Sequence, residues 1–421
     1  MLKRNILGNT ALISALASAG LLTVPAGANA ADSLEAALKE STAKLSFRPR
    51  YENVTQESPA PGASPAHSDA FTLKTRLTFT TGSFFDTSAV LEFDDVTALK
   101  DEDYNDTAGN GQDNPAIADP EGTEINQVYL SYQGLAKTDI RYGRQRILLD
   151  NERFVGGVGW RQNEQTYDSL SITNTSIPNL TGFLAHLYNV NRITGEDADN
   201  GRYHMDSTLL NLKYALGQVG AVSAYYYDLD YLEELPAVSS KTMGVRFAGS
   251  TKLDPVTLGY EAEYATQSES ADNPTDFDVD YYLLGASVTF DIFTVGIAQE
   301  VLGADEDAGV AFSTPLATLH KFQGWADQFL GTPNTGIEDT YVTFKVVLPM
   351  GMDLLAMYHQ FDSDADRADD NEYGDEIDVA LTKKFSNGAT IQLKYADFSG
   401  NEHGLKKDDV SKVWVMATYA I

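Results

Sequence analysis

The chain has 421 residues, 43% of them apolar, a formal charge of −31 and no cysteine. The lack of thiols excludes a disulfide framework, a thiolate metal site and a cysteine nucleophile, and the acidity argues against a nucleic-acid partner, whose phosphates would be repelled. No Gly-x-Ser-x-Gly, His-Glu-x-x-His or glycine-rich phosphate loop occurs and the six histidines are scattered, so neither an enzyme nor a cofactor is expected.

Residues 1–30 have the three parts of a secretory signal peptide: Lys3 and Arg4, an apolar stretch from Ile6 to Val24, and the small-x-small site Ala28-Asn29-Ala30 before Ala31. The competing reading is a membrane-spanning helix, but Gly8, Asn9, Thr10, Ser14 and Gly20 interrupt the stretch and Pro25 ends it. Loss of Lys3 and Arg4 takes the charge from −31 to −33. No Pro/Ser-rich linker divides residues 31–421, which are expected to form one domain. That stretch has no apolar run long enough to cross a bilayer as a helix, so a spanning protein must be a closed barrel.

From residue 44 onward, segments of about ten residues alternate apolar and polar at period two, the signature of transmembrane strands. Eighteen are predicted: 44–55, 69–81, 84–98, 122–133, 136–147, 165–175, 178–191, 204–216, 218–230, 240–251, 253–267, 278–290, 292–302, 337–348, 351–362, 374–385, 388–399 and 409–421. Short turns such as Gln133-Gly134-Leu135, Leu216-Gly217-Gln218, Pro349-Met350-Gly351 and Ser386-Asn387-Gly388 alternate with long polar loops near 56–68, 99–121, 148–164, 192–203, 268–277, 303–336, 363–373 and 400–408. The pattern predicts an all-β, up-and-down antiparallel transmembrane barrel, with short turns and both termini on the periplasmic side. The 22 Tyr and 19 Phe would supply aromatic girdles, although a soluble β-sandwich can also be rich in Tyr. In the last segment Val413, Val415, Ala417, Tyr419 and Ile421 share a face. It resembles the C-terminal strand read by the barrel-assembly machinery, with Ile in place of the usual Phe.

In such a barrel the apolar half of each alternation faces lipid and the polar half faces the lumen. Leu45, Phe47, Pro49 and Tyr51 then face out and Arg48, Arg50 and Glu52 face in; Phe71, Leu73, Leu77 and Phe79 face out and Lys74 and Arg76 face in. In the third segment Phe85, Ala89, Leu91 and Phe93 face out, leaving Asp86, Glu92 and Asp94 inside. Parity also points Lys213, Arg246, Lys345 and Lys394 inward, together with Glu261, Glu263, Glu376 and Asp378. The bases can form an anion path, or they can pair with these acids in cross-strand ladders that hold register.

The acid excess falls mainly in two loops, Asp101, Glu102, Asp103, Asp106, Asp113, Asp119 and Glu121, then Asp362, Asp364, Asp366, Asp369, Asp370, Glu372 and Asp375. These read as a solvated face. The alternative is a site for Ca²⁺ or Mg²⁺ shared with lipopolysaccharide, but the spacing matches no twelve-residue calcium loop and assigns no metal ligands.

Residues 119–130 read Asp-Pro-Glu-Gly-Thr-Glu-Ile-Asn-Gln-Val-Tyr-Leu, and 141–168 contain Arg-Tyr-Gly-Arg-Gln-Arg-Ile, Asp150-Asn151-Glu152-Arg153-Phe154-Val155-Gly156-Gly157 and Trp160-Arg161-Gln162-Asn163-Glu164-Gln165-Thr166-Tyr167-Asp168. A later block runs from Ala317 through His320-Lys321-Phe322-Gln323-Gly324-Trp325-Ala326-Asp327 to Thr332-Pro333 and Gly336. The chain resembles the alginate-export family of outer-membrane porins along essentially its whole mature length, most specifically at 119–168. The resemblance implies an 18-stranded barrel in the outer membrane with a lumen lined by arginine and lysine, down which an anionic polyuronate passes.

Arg141, Arg144, Arg146, Arg153 and Arg161 also make a cluster on their own physics, since guanidinium forks bind carboxylates bidentately. Arg141 has lumen parity, whereas Arg144 and Arg146 share the parity of Ile140 and Tyr142. Either a bulge near Gly143 turns both inward or both lie at the outer rim. The segment is expected to form a constriction; the bland alternative is a network pinning the loop to Glu152, Glu164 and Asp168. In the longest loop, 303–336, His320, Lys321 and Trp325 are candidates for a second constriction, and the spacing of Phe322, Trp325, Ala326 and Phe329 predicts a short amphipathic helical turn.

The function expected is passive diffusion of an anionic oligosaccharide or small solute past Arg48, Arg50, Lys74, Arg76, Arg144, Arg146, Arg153 and Arg161 at several weak sites. The alternatives are a plugged-barrel adhesin and a cation-tolerant nutrient porin. An energised transporter would need a plug domain of over a hundred residues, and only 31–43 precede the first strand.

Overall fold

The computed structural model describes residues 33–421 except 59, 61–63, 102, 233, 367–369, 403 and 407. The signal-peptide reading, with Lys3 and Arg4, lies outside the described residues, as do Glu102, Asp369 and His403.

Among the described residues one antiparallel sheet of 18 strands closes on itself. In chain order these are β1 (Thr42–Glu57), β2 (Ala66–Thr80), β3 (Thr87–Ala98), β4 (Gly122–Tyr132), β5 (Thr138–Gln145), β6 (Thr166–Asn174), β7 (Leu180–Asn191), β8 (Arg202–Ala215) and β9 (Ala221–Leu229). They continue with β10 (Ser240–Leu253), β11 (Val256–Glu269), β12 (Asp278–Phe290), β13 (Phe293–Leu302), β14 (Ile337–Leu348), β15 (Met352–Asp362), β16 (Glu372–Lys384), β17 (Thr390–Gly400) and β18 (Asp409–Ala420). Each strand pairs with its neighbours in sequence, and β1 also pairs with β18, from Ser46↔Ala420 to Glu57↔Asp409. No edge strand is left among the described residues, as a hydrocarbon surround demands.

The eighteen predicted segments correspond one to one with these strands. Period two is legible because both surroundings are uniform: Leu77, Leu130, Leu184, Val245, Leu284, Ile297, Phe344, Leu393 and Val415 form an exposed apolar belt outside, and polar side chains are buried within.

The third segment starts later than predicted. Phe85 and Asp86 have φ of 48° and 58°, the two left-handed residues of a tight hairpin turn, so they connect β2 to β3 and belong to neither face. A short helix, α1 (Leu34–Lys39), which the sequence reading did not anticipate, is capped by Ser33. It sits on the same turn through Gly82 N–H to Ala37 O at 3.0 Å.

The helical turn predicted at Phe322–Phe329 is absent. A single 3₁₀ turn covers Leu319–Lys321, and left-handed φ at Gln323 (49°), Gly324 (78°) and Asp327 (60°) breaks any helix beyond it. Loop 303–336 also carries a two-residue ribbon, Ala304–Asp305 with Val310–Ala311.

Candidate functional site

Two long loops turn into the barrel and meet there. Val155 bridges Leu316, Gly156 N–H reaches Leu316 O at 2.8 Å, Thr318 N–H reaches Glu152 O at 3.0 Å, and Val158 N–H reaches the Thr318 hydroxyl at 3.1 Å. Loop 146–165, between β5 and β6, is thereby zipped to loop 303–336, between β13 and β14. Their side chains then find partners on the wall.

The first contact zone lies on β1, β2 and β3. Arg48 and Lys74 stand directly opposite each other, and the like charges are drawn to different partners. Arg48 donates to Gln162 Oε1 and Gly159 O, both at 2.8 Å, and to Arg161 O, while Lys74 contacts Asp94 at 3.0 Å. Arg76 grips Asp94 with two hydrogen bonds of 2.6 Å and reaches Glu164 at 2.9 Å; Arg146 joins Glu92 at 2.9 Å and Glu164. Burial opposes ionisation of Glu164, but Arg146, Arg76 and Lys74 overcome it and hold the carboxyl well below its ordinary range. Arg50 donates to Glu52 and to Trp160 O, each at 2.6 Å, and Arg161 pairs with Glu52 at 3.0 Å. Asp119, predicted to be part of a solvated face, is instead buried here, accepting Gln162 N–H at 2.8 Å.

A second zone surrounds Arg153, which is 1% exposed. Its guanidinium donates to Glu300 at 2.7 Å, Gln323 at 3.0 Å and Thr314 at 3.1 Å, and lies 4.7 Å over the Phe322 ring. Glu300 also accepts the Tyr281 hydroxyl at 2.7 Å. Beside it Phe154 and Phe312, one from each loop, pack on Tyr225, Tyr227 and Tyr281 of the wall.

The third zone holds His320, Trp325 and Lys394, with every tryptophan of the chain. Lys394 Nζ lies 3.6, 4.2 and 5.2 Å from the ring centroids of Trp325, Trp160 and Trp414, and His320 stacks on Trp160 at 4.5 Å. Lys394 donates to His320 Nε2 at 2.6 Å, so His320 must carry its proton on Nδ1, which donates to Asp327 at 2.6 Å. Backbone N–H groups of Trp325 and Ala326 donate to Asp378 (3.2 Å) and Glu376 (2.7 Å). Glycine suits position 324 because its φ of 78° is left-handed, and a Cβ there would stand 2.3 Å from the Glu376 carboxylate. Lys321 donates to Asn151 O at 2.8 Å, another tie between the loops.

On the opposite wall the lumen opens into a chamber of about 550 Å³ at the short-turn end. Small residues of β9–β12 line it, among them Ala221, Gly259, Gly285 and Ser287. Lys213 reaches into it, 51% exposed and 3.7 Å from Asp150 of the inward loop. Arg246 is held by Glu261 (2.6 Å) and by Glu263 directly across the sheet (2.7 Å), a ladder of the register-holding kind.

The remaining candidates are apart. Arg141 bonds Asp139 at 2.8 Å and covers Tyr129 inside the barrel, and Lys345 is half-buried with no ion pair among the described residues. Arg144 and Arg146 part company, contrary to their shared parity. No register shift occurs at Gly143, so Arg144 keeps its outward phase and pairs at the rim with Asp168 (2.9 Å) and Glu196; β5 ends at Gln145, which frees Arg146 to turn inward. The sequence reading missed Glu300, Asp339 and Lys412. Strand parity could have found all three: Glu300 is in phase with Ala298, Asp339 with Tyr341 and Lys412 with Trp414. Among the described residues no group of three or more acidic or histidine side chains has metal-binding geometry.

No curated protein matches the chain. Among solved structures, Pseudomonas aeruginosa OccK9 (OpdG) superposes with a TM-score of 0.69 at 16% identity, covering 91% of this chain and 99% of its own. P. aeruginosa OpdK, solved with vanillate, gives 0.69 at 13% identity over 90% and 98%, and OccK5 (OpdH) gives 0.66 at 14% over 91% and 99%. At such identities the likeness establishes the fold. The family described as alginate export matches residues 41–279, more than half the sequence, and with the closed, apolar-belted barrel around that match this chain belongs to the alginate export family of outer-membrane β-barrels.

Proposed function

We propose that this barrel is a passive porin for anionic or carbohydrate solutes, with uronate oligomers the class its chemistry favours, and that the two inward loops set its narrow section. The observation that carries the reading is the chamber of about 550 Å³, where Lys213 is half-exposed beside Arg246 against a wall of Gly, Ala and Ser. Small side chains leave room for a sugar ring. A lysine that is only loosely paired offers a carboxylate a contact weak enough for release. The alginate export family supports a uronate, and OpdK's vanillate, itself a carboxylate, supports an anion path in the shared fold.

A second reading, a weakly selective nutrient porin, is favoured by one observation: Arg50, Arg76, Arg146, Arg153, Arg161 and Arg246 each already hold a carboxylate. Single-channel recording of the refolded barrel under a KCl gradient, with oligo-alginate added, separates the two. Anion-selective current blocked by the oligouronate is the expected result. Cation-selective or unblocked current favours the general porin, and no current favours a plugged adhesin.

A further inference from the structure

Deep in the third zone a carboxylate of the protein's own sits among bases drawn from three directions. Asp327, on loop 303–336, is 4% exposed at its side chain and binds Lys412 of β18 at 2.8 Å, Arg161 of loop 146–165 at 3.1 Å and His320 at 2.6 Å. The wall beneath holds donors that Asp327 does not reach, and beside them the orphaned carboxylate oxygens Asp378 Oδ1 and Glu376 Oε2. Arg50 Nε, Trp160 Nε1 and Trp414 Nε1 are buried without a hydrogen-bond acceptor among the described residues, with Asp119 3.7 Å from Arg50 Nε as an ion-pair partner. They crowd together, with Arg50 4.4 Å over Trp160 and Trp160 5.7 Å from Trp414. Lys394, opposite Trp414 in register, has the imidazole of His320 as its one hydrogen-bond partner among the described residues. A buried donor left unpaired is costly, so an acceptor oxygen brought beside Arg50 Nε and the two indoles would be favoured.

We infer that Arg161, Lys394 and Lys412 form a carboxylate-binding site on the lumen wall, and that Asp327 occupies it as an internal substitute for the carboxylate of an incoming uronate. The inference rests on the channel reading above and deepens it by naming the site. A solute carboxylate that takes the place of Asp327 releases one of the ties holding loop 303–336 across the lumen. A second oxygen, or a ring hydroxyl one sugar along, can accept from the indole and guanidinium donors that Asp327 does not reach. Because Asp327 competes with the solute, the apparent affinity of the wild-type barrel is lowered by the fraction of time the loop is docked.

All three tryptophans lie in this zone, so intrinsic emission reports its occupancy. The full-length barrel in detergent is titrated with trigalacturonate and, separately, with neutral maltotriose. Wild type should show a saturable emission change with the acidic sugar alone. Asp327→Asn should bind trigalacturonate at least ten-fold more tightly, and Lys412→Gln more weakly than wild type. Should Asp327→Asn refold poorly, Asp327→Glu keeps the competitor, and its affinity should stay near that of wild type. Equal responses to both sugars, or an Asp327→Asn affinity no tighter than wild type, would overturn the inference. Emission that stays flat while trigalacturonate blocks single-channel current would overturn it and leave the channel reading standing. No current and no emission change would remove both.

Discussion

Replacing Arg153 by Met tests whether the inward loops are held by buried ionic contacts. Arg153 and Glu300 are 1% and 3% exposed at their side chains, and the pair is the deepest tie between loop 146–165 and the wall. Removing one partner of a buried pair costs about 3–5 kcal/mol, because the other charge stays desolvated. Glu300 keeps the Tyr281 hydroxyl and the Gln323 amide, which puts the loss near the lower end, about 3 kcal/mol. If the barrel itself is untouched, that energy appears in loop docking, and the undocked fraction rises about a hundredfold. Single-channel recordings should then show a larger or more frequently open state, while the thermal transition of the barrel moves little. The informative control is Arg153→Met with Glu300→Gln. Taking away both charges should recover most of the docking, to within about 1 kcal/mol of wild type. A double variant as open as Arg153→Met alone would refute the reasoning.

Acidification should weaken docking of loop 303–336. Burial drives the His320 imidazole down to about 3 against the pull of Asp327, so the docked loop refuses a proton that the free loop accepts; docking is complete above pH 6.5 and is lost as pH falls toward 3, by about 2 kcal/mol at pH 5. Asp327 acts in the same sense: despite burial, His320, Lys412 and Arg161 hold its carboxyl well below the usual value, so its share is present above about pH 4 and lost below it. Tryptophan emission between pH 7.5 and 5 should move toward that of the undocked state, and His320→Gln should flatten the response; a flat wild-type profile would count against it. Arg144→Ala should leave the reversal potential unchanged, because that side chain lies outside the wall, whereas Arg146→Ala leaves Glu92 and Glu164 short of a partner and should shift selectivity toward cations. Equal effects of the two would contradict the placement.

The strands were legible because lipid on one side and a polar interior on the other impose the same two-residue alternation eighteen times over. Lys74 and Arg76, like Glu261 and Glu263, could be assigned to the lumen from phase alone. Phase fails where the strand ends, which is why Arg144 and Arg146 were treated alike and why Phe85 and Asp86 were assigned to faces they do not have. The inward loops were harder still. Arg153 meets Glu300 across 147 residues, and Trp160, Trp325 and Trp414 converge on Lys394 from three distant segments, with nothing in the local sequence of any of them naming the others. The pairing of the lumen arginines is in part local, Arg76 with Asp94 and Arg246 with Glu263 directly across the sheet, and in part long-range, as for Arg153. A tally of wall bases therefore overstated the free positive charge.

The seam between β1 and β18 bears on how the protein is made. Leu45 and Ile421 exchange both backbone hydrogen bonds, at 3.0 and 2.9 Å, so the residue that follows β18 bonds to one near the start of β1. Until it arrives, two strand edges stay unsatisfied at opposite ends of a sheet of 18, each able to zip onto another copy. Closing so long a loop is slow rather than prohibitive, because its entropic cost grows only logarithmically with length. The hazard is therefore one of time: the chain must be kept from its neighbours until its own ends have met.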